Sequence, residues 1–244
     1  MNEKMRSFAE GILIGLFGTV APFVGTDPAP TFDYIPVEYI QFDGTQYIDT
    51  GLLCTQKTSI ETEFMRDTMD AQYLYGANSS DSKASITAYM PASSTGNWRF
   101  GGTYKATNFG TGVKYKTIAN SKGLTIDGNL NYYGGTVGTF TTPVTLVLGS
   151  SHNSSGTYGT SEFYGKIYAF KMYEGDTLVA DYVPGVNADG EYGFWDRVTE
   201  TFRTSDSGTP LSGAPVVTEP RLVSYDGYVL QDANGLYLIP KEGE

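Results

Sequence analysis

The 244-residue chain has one cysteine, Cys54, and one histidine, His152. A single thiol excludes an intrachain disulfide and any cysteine-based metal cluster, and it leaves the redox compartment open. Cys54 is expected to be a small buried apolar residue in a strand. His152 lies in a Ser/Gly-rich loop with no triad partner in view, so it reads as a surface residue. Charge is sparse as well: charged residues make up 18% of the chain, and 27 acidic against 16 basic residues give a net charge of -11. That balance excludes a nucleic-acid backbone as partner, which would need a basic stripe. It suits solubility and tolerates neutral glycans or cation-bearing partners. No charge run is long enough for a disordered tail, and no apolar run reaches the roughly 20 residues of a membrane span.

Glycine and tyrosine are what the chain has in quantity, with 30 Gly, 19 Tyr and 14% aromatic residues. Such a composition predicts many short strands and turns in one large β domain rather than helices. Residues 1–25 differ from the rest. Lys4 and Arg6 precede an apolar stretch in which Phe8, Ile12 and Leu16 recur at helical spacing. Those three residues would form one face of an assembly or docking segment, while export or membrane anchoring is the alternative. Residues 26–33 are a stiff Pro-rich linker.

The main domain is expected over residues 34–210. Val37–Phe42 and Ser59–Arg66 alternate apolar and polar residues as half-buried strands do, with Ile60, Thr62 and Phe64 on one face and Glu61 and Glu63 on the other. Further short strands are expected over 72–77, 84–90, 97–101, 113–118 and 143–149. Asp127-Gly128 supplies the positive φ that a tight hairpin needs. A second hairpin turns at Glu174-Gly175-Asp176, with Ile167, Ala169 or Phe170, and Met172 on its inner side. Residues 211–220 form another linker, and 221–244 a β-hairpin tail too small for a core of its own. Strands at this spacing predict an antiparallel sandwich or jelly roll.

The run Val37-Glu-Tyr-Ile-Gln-Phe-Asp-Gly-Thr-Gln-Tyr-Ile-Asp-Thr-Gly51 resembles the opening of the concanavalin A-like, laminin-G-like domains common in gut bacteria and their phages. Ile126-Asp-Gly128, Leu148-Gly149, Phe163-Tyr-Gly-Lys-Ile167, Asp181-Tyr-Val-Pro184 and Gly193-Phe-Trp-Asp196 follow in that family's order. The resemblance covers about residues 36–209 and implies a lectin-like or adhesion module of the kind carried on phage fibres and bacterial surfaces. It implies a non-enzymatic virion protein (fibre, decoration or receptor-binding), or alternatively a secreted or cell-surface bacterial adhesin. The partners it implies are other virion or surface-assembly proteins and a host-surface glycan, with the chain as a homo-oligomer.

Glycoside hydrolases share this fold type and place three carboxylates on one strand face, two of them about 5 Å apart in retaining enzymes. The nearest stretch, Glu61-Thr-Glu63, lacks the third carboxylate and reads as a solvated strand face. No catalytic residue is therefore expected. Glycan binding would use an aromatic platform flanked by amides or charges. The candidates are Trp98 with Asn97 and Arg99, Tyr132 and Tyr133, and Tyr158 with Asn153. Trp195 is assigned to the core. No cofactor or dedicated metal site is expected, although a structural calcium would draw on the loop carboxylates Asp67, Asp70 and Asp81.

Overall fold

The computed structural model describes residues 34–93 and 95–216, together with the backbone of 221–225, 228–232 and 237–240. The expectations for residues 1–33, including Phe8, Ile12 and Leu16, lie outside the described residues. In chain order the first strands are β1 (Tyr34–Pro36), β2 (Ile40–Asp43), β3 (Ile48–Asp49), β4 (Thr58–Arg66), β5 (Gln72–Ala77) and β6 (Ile86–Met90). Next come β7 (Thr95–Phe100), β8 (Thr103–Asn108), β9 (Lys114–Asn120), β10 (Gly123–Ile126), β11 (Asn129–Tyr132) and β12 (Val147–Leu148). The domain closes with β13 (Tyr164–Glu174), β14 (Thr177–Asn187), β15 (Tyr192–Asp196), β16 (Thr201–Arg203) and β17 (Ser212–Gly213).

These strands form two antiparallel sheets, the sandwich that the alternation predicts. The larger, 11-stranded sheet runs β11-β10-β9-β4-β13-β14-β15-β16, with β1 on β14 and β2 joining β13 to β17. The smaller runs β3-β12-β5-β6-β7-β8. The hairpin of β13 and β14 lies near the middle of the larger sheet, with β4 along its other side. At the hairpin of β10 and β11, Asp127 and Gly128 have φ of 46° and 84°, the left-handed pair that the sequence predicts. A separate unit contains a three-stranded antiparallel sheet, β18 (Arg221–Tyr225), β19 (Tyr228–Asp232) and β20 (Tyr237–Pro240).

The core lies between the sheets. On β4 burial alternates at every residue, so Ile60, Thr62 and Phe64 face inward as expected and Glu61 and Glu63 outward. The Phe64 ring sits within 5.6–6.2 Å of the rings of Trp98, Phe109, Tyr115 and Phe163, which joins the two sheets. Aromatic rings at such spacings add to the area they bury.

Several expectations need correction. Trp195 is not a core residue: Phe194 points inward, while Trp195 is half-buried on the outer side and stacks on Tyr34 at 5.4 Å. Two adjacent aromatics in a strand cannot both face the core. Cys54 is buried but lies just outside the named strands, and burial raises its thiol far above the usual range. The strand expected over 143–149 shortens to Val147–Leu148, and β8, paired along its whole length with β7, has no counterpart among the expected strands.

Gly149 ends the short β12 at φ 82°. A Cβ there would come within 2.5 Å of the Phe42 ring and 3.0 Å of the Gln46 carbonyl. The conformation alone disfavours an L side chain by about 1–2 kcal/mol, and overpacking of a filled core adds to that. Gly149→Ala should therefore lower the free energy of unfolding by about 2–3 kcal/mol, read from the urea midpoint at unchanged m-value.

Candidate functional site

The smaller sheet presents its outer face as a register of rows. Asp49, Val147, Gly76, Thr87, Arg99 and Tyr104 are successive cross-strand partners from β3 to β8. A second row, Tyr73, Tyr89, Asn97 and Ala106, runs beside it. Because side chains alternate across a strand, these rows share a face, and the residues between them, Ala88 and Trp98, fill the core.

An open groove of about 440 Å³ lies on this face, lined by Tyr73, Asn78, Thr87, Tyr89, Asn97, Arg99 and Tyr104. Three tyrosines, two amides, a hydroxyl and one guanidinium converge there, and the lining contains no carboxylate. The Tyr73 and Tyr89 rings lie 4.6 Å apart at 39°, and Tyr104 is 62% exposed. Burial, and then Tyr89, push the Tyr73 hydroxyl above its ordinary range, tempered by the Arg99 guanidinium and by Asn78 beside it. The loop after β12 lies against the end of β5, beside the groove. The backbone N–H of Asn78 donates to the His152 carbonyl at 2.7 Å, and Ser151 packs so closely on Gly76 that a Cβ would meet it at 2.8 Å.

Of the residues predicted from sequence, Asn97 and Arg99 belong to this groove, and Trp98 between them does not. Trp98 is wholly buried, its Nε1 donating to the Tyr75 hydroxyl at 3.0 Å, so it is no surface platform. Tyr133 is likewise a core residue, 8% exposed, with its ring beside Phe100 at 6.1 Å. Its hydroxyl has no hydrogen-bond partner among the described residues, and burial raises its pKa. Tyr132 is 70% exposed, but it stands on the edge strand β11 of the other sheet.

Tyr158 and Asn153 belong to the loop after β12. The Thr157 carbonyl accepts from the Asn153 backbone N–H, and Tyr158 is sandwiched between Tyr47 at 4.1 Å and His152 at 4.8 Å. The Tyr158 hydroxyl donates to Asp49 Oδ2 at 3.3 Å, and Thr145 donates to the same oxygen at 2.9 Å. His152 is thus half-buried in a ladder of rings, with Nδ1 4.0 Å from the Asp49 carboxylate, and not the free surface residue expected.

Tyr73, Asn78, Thr87, Tyr89 and Tyr104 were missed from sequence. Once Trp98 is assigned to the core, alternation places Asn97, Arg99 and their cross-strand partners outward, which is the signal that would have found most of them.

The candidate calcium carboxylates are held separately. Asp67 accepts from Gln41 Nε2 at 3.0 Å, and Asp81 from the Lys83 N–H and the Ser79 hydroxyl, which hold it below the usual carboxylate range. Among the described residues no group of three or more His, Cys, Asp or Glu side chains is placed to hold a metal. Glu63 lies on the outer face of the larger sheet within 3.1 Å of Lys114 and 3.8 Å of Lys116.

No family model matches the chain, and no curated protein does. Among solved structures, the laminin alpha1 chain of mouse, domains LG4-5, is similar at a TM-score of 0.39 and 15% identity, covering 85% of this chain and 56% of that one. The native heptameric SAP-like pentraxin of Limulus polyphemus is similar at a TM-score of 0.40 and 13% identity, covering 56% of this chain and 75% of the pentraxin. The β-sandwich stands on the strand order and the shared core of this chain itself.

Proposed function

We propose that this protein is a non-enzymatic attachment module that binds a glycan in the groove on the outer face of β5–β8. The observation that carries the reading is the lining itself. Tyr89 and Tyr104 offer ring faces to the apolar side of a sugar, while Asn78, Asn97 and Arg99 supply donors and acceptors to its hydroxyls. A rigid sheet holds these groups, which limits the entropy lost on binding. The absence of Asp and Glu from the lining favours binding over glycosidic hydrolysis, which needs paired carboxyl groups.

Tyr104→Ala and Tyr89→Ala should each lower affinity for a glycan bound by the parent at least about tenfold, ~1.4 kcal/mol. The exposed Tyr104→Ala should leave the melting temperature within a few degrees of the parent. Glycan-array binding followed by calorimetry on the full chain checks this. Unchanged binding in both variants sinks the groove as the site.

The finer reading is display on a virion or bacterial surface, with the chain as a homo-oligomer. The apolar spacing of Phe8, Ile12 and Leu16 supports it. Native mass with and without residues 1–30 tests it: a defined oligomer that becomes a folded monomer on truncation is expected, and a monomer in both forms defeats it.

A further inference from the structure

We infer that the groove selects a saccharide bearing one isolated anionic group, a carboxylate or a sulfate ester, and that Arg99 reads that group. The inference rests on the groove being the glycan site and names the class of glycan it takes.

Its basis is a local charge opposite in sign to the whole protein. The chain carries a net charge of -11, yet the groove lining contains one cation and no carboxylate. Lys114, Lys116, Lys171 and Arg197 each sit beside an acidic side chain. The Arg99 side chain, the one cation of the groove lining, has neither a carboxylate nor a hydrogen-bond acceptor as partner among the described residues, although it is only half-exposed. It is also the charged group that acts on the Tyr73 hydroxyl, whereas Tyr158, on the loop after β12, and Tyr47, stacked on it, feel Asp49 and Asp206. Along the chain Asp81 lies close to Asn78, but its carboxylate is occupied by Ser79 and Lys83.

A guanidinium with a free fork on a rigid strand is suited to bidentate capture of a carboxylate or sulfate. Cross-strand neighbours Thr87 and Tyr104 flank it in the same row, leaving the amides and the remaining tyrosines for the neutral part of the ligand.

The net charge limits how acidic that ligand is. At physiological salt, charges beyond about 8 Å are largely screened, so one anionic sugar inside the groove feels Arg99 and little of the acidic surface. A polyanion extending past the groove would meet that surface and be repelled.

The test is an array of three matched sets presented to the full chain: neutral oligosaccharides, the same cores carrying one uronic acid, sialic acid or sulfated sugar, and polyanions such as heparin and polygalacturonate. The expected result is binding to the singly acidic set at least about tenfold above its methyl-esterified or desulfated counterparts. That preference should vanish in Arg99→Gln while residual binding of neutral cores persists. The uronate, sialate and sulfate members separate the sources of the anion. Strongest binding to polyanions, or a rank order unchanged in Arg99→Gln, overturns the inference while leaving the groove as a glycan site. No binding to any set removes the groove reading and the inference with it.

Discussion

Trp98→Ala will cost the domain about 3–5 kcal/mol. The side chain is wholly buried, with ring centroids 4.6 Å from Phe109 and 6.2 Å from Phe64. Truncation removes the largest buried side chain among the described residues and strands the Tyr75 hydroxyl, which accepts a hydrogen bond from the indole Nε1 at 3.0 Å. Small domains have total stabilities of about 5–15 kcal/mol, so the alanine variant will sit near the edge of folding. Trp98→Phe keeps most of the packing and isolates the hydrogen bond. It should cost about 1–3 kcal/mol, with part recovered in the double variant with Tyr75→Phe, because an unpaired buried hydroxyl is worse than none. Urea midpoints for the three proteins measure this. Trp98→Phe beside Arg99→Gln separates structure from recognition: Trp98 and Arg99 are neighbours on β7 with opposite faces, so Trp98→Phe should spare glycan affinity and Arg99→Gln should spare stability. Equal stability of parent and Trp98→Phe would show that the Tyr75 contact contributes nothing.

Much of the fold was legible because single-faced strands announce themselves. The alternation of Ser59–Arg66 set its inward face correctly, and Asp127-Gly128 could only be a tight left-handed turn. The candidate groove was less legible, for a physical reason. Tyr73 and Tyr75 are two residues apart and would share a face in a regular strand. A register shift at Leu74 sends Tyr75 into the core beside Trp98 and leaves Tyr73 on the outer face beside Tyr89. The same effect at Tyr168, between Ile167 and Ala169, is why Phe170 and not Ala169 follows Ile167 inward. Bulges are set by the partner strand, and a period read along one strand does not contain them. The two tryptophans show the other limit. Sequence alone offers Trp98 as a candidate platform and assigns Trp195 to the core, whereas the structure buries Trp98 and leaves Trp195 half-exposed, because either phase of an aromatic-rich strand looks equally apolar.

Arg66→Met should lower stability by about 3 kcal/mol, although it exchanges a charge for an apolar side chain at a fully covered position. Arg66 ends the inward row of β4, where Ile60 and Phe64 belong to the core. Its guanidinium donates to the carbonyls of Thr68 at 2.8 Å, Ser93 at 3.0 Å and Asp70 at 3.3 Å. No carboxylate forms an ion pair with it among the described residues, and burial lowers its pKa from the usual arginine value. The planar fork thus fastens the turn after β4 to the turn between β6 and β7. Gln72 reinforces the first of these through Thr68 and Asp70 at 3.0 and 3.2 Å. Methionine keeps the packing of the stem but leaves the Ser93 carbonyl without its donor. Two short bonds to a charged group at about 1.5 kcal/mol each account for the expected loss. Lysine restores the charge without the fork and should recover less than half of it. Because Pro91–Ser93 leads directly from Tyr89 toward Asn97, the Met variant should also be cleaved faster at residues 91–93 under native conditions. The ladder between β6 and β7 pairs Tyr89 with Asn97 independently of that turn, so glycan affinity should stay within about twofold of the parent. Limited proteolysis beside a urea titration decides it: unchanged cleavage with a full stability loss would place the role of Arg66 in core packing alone.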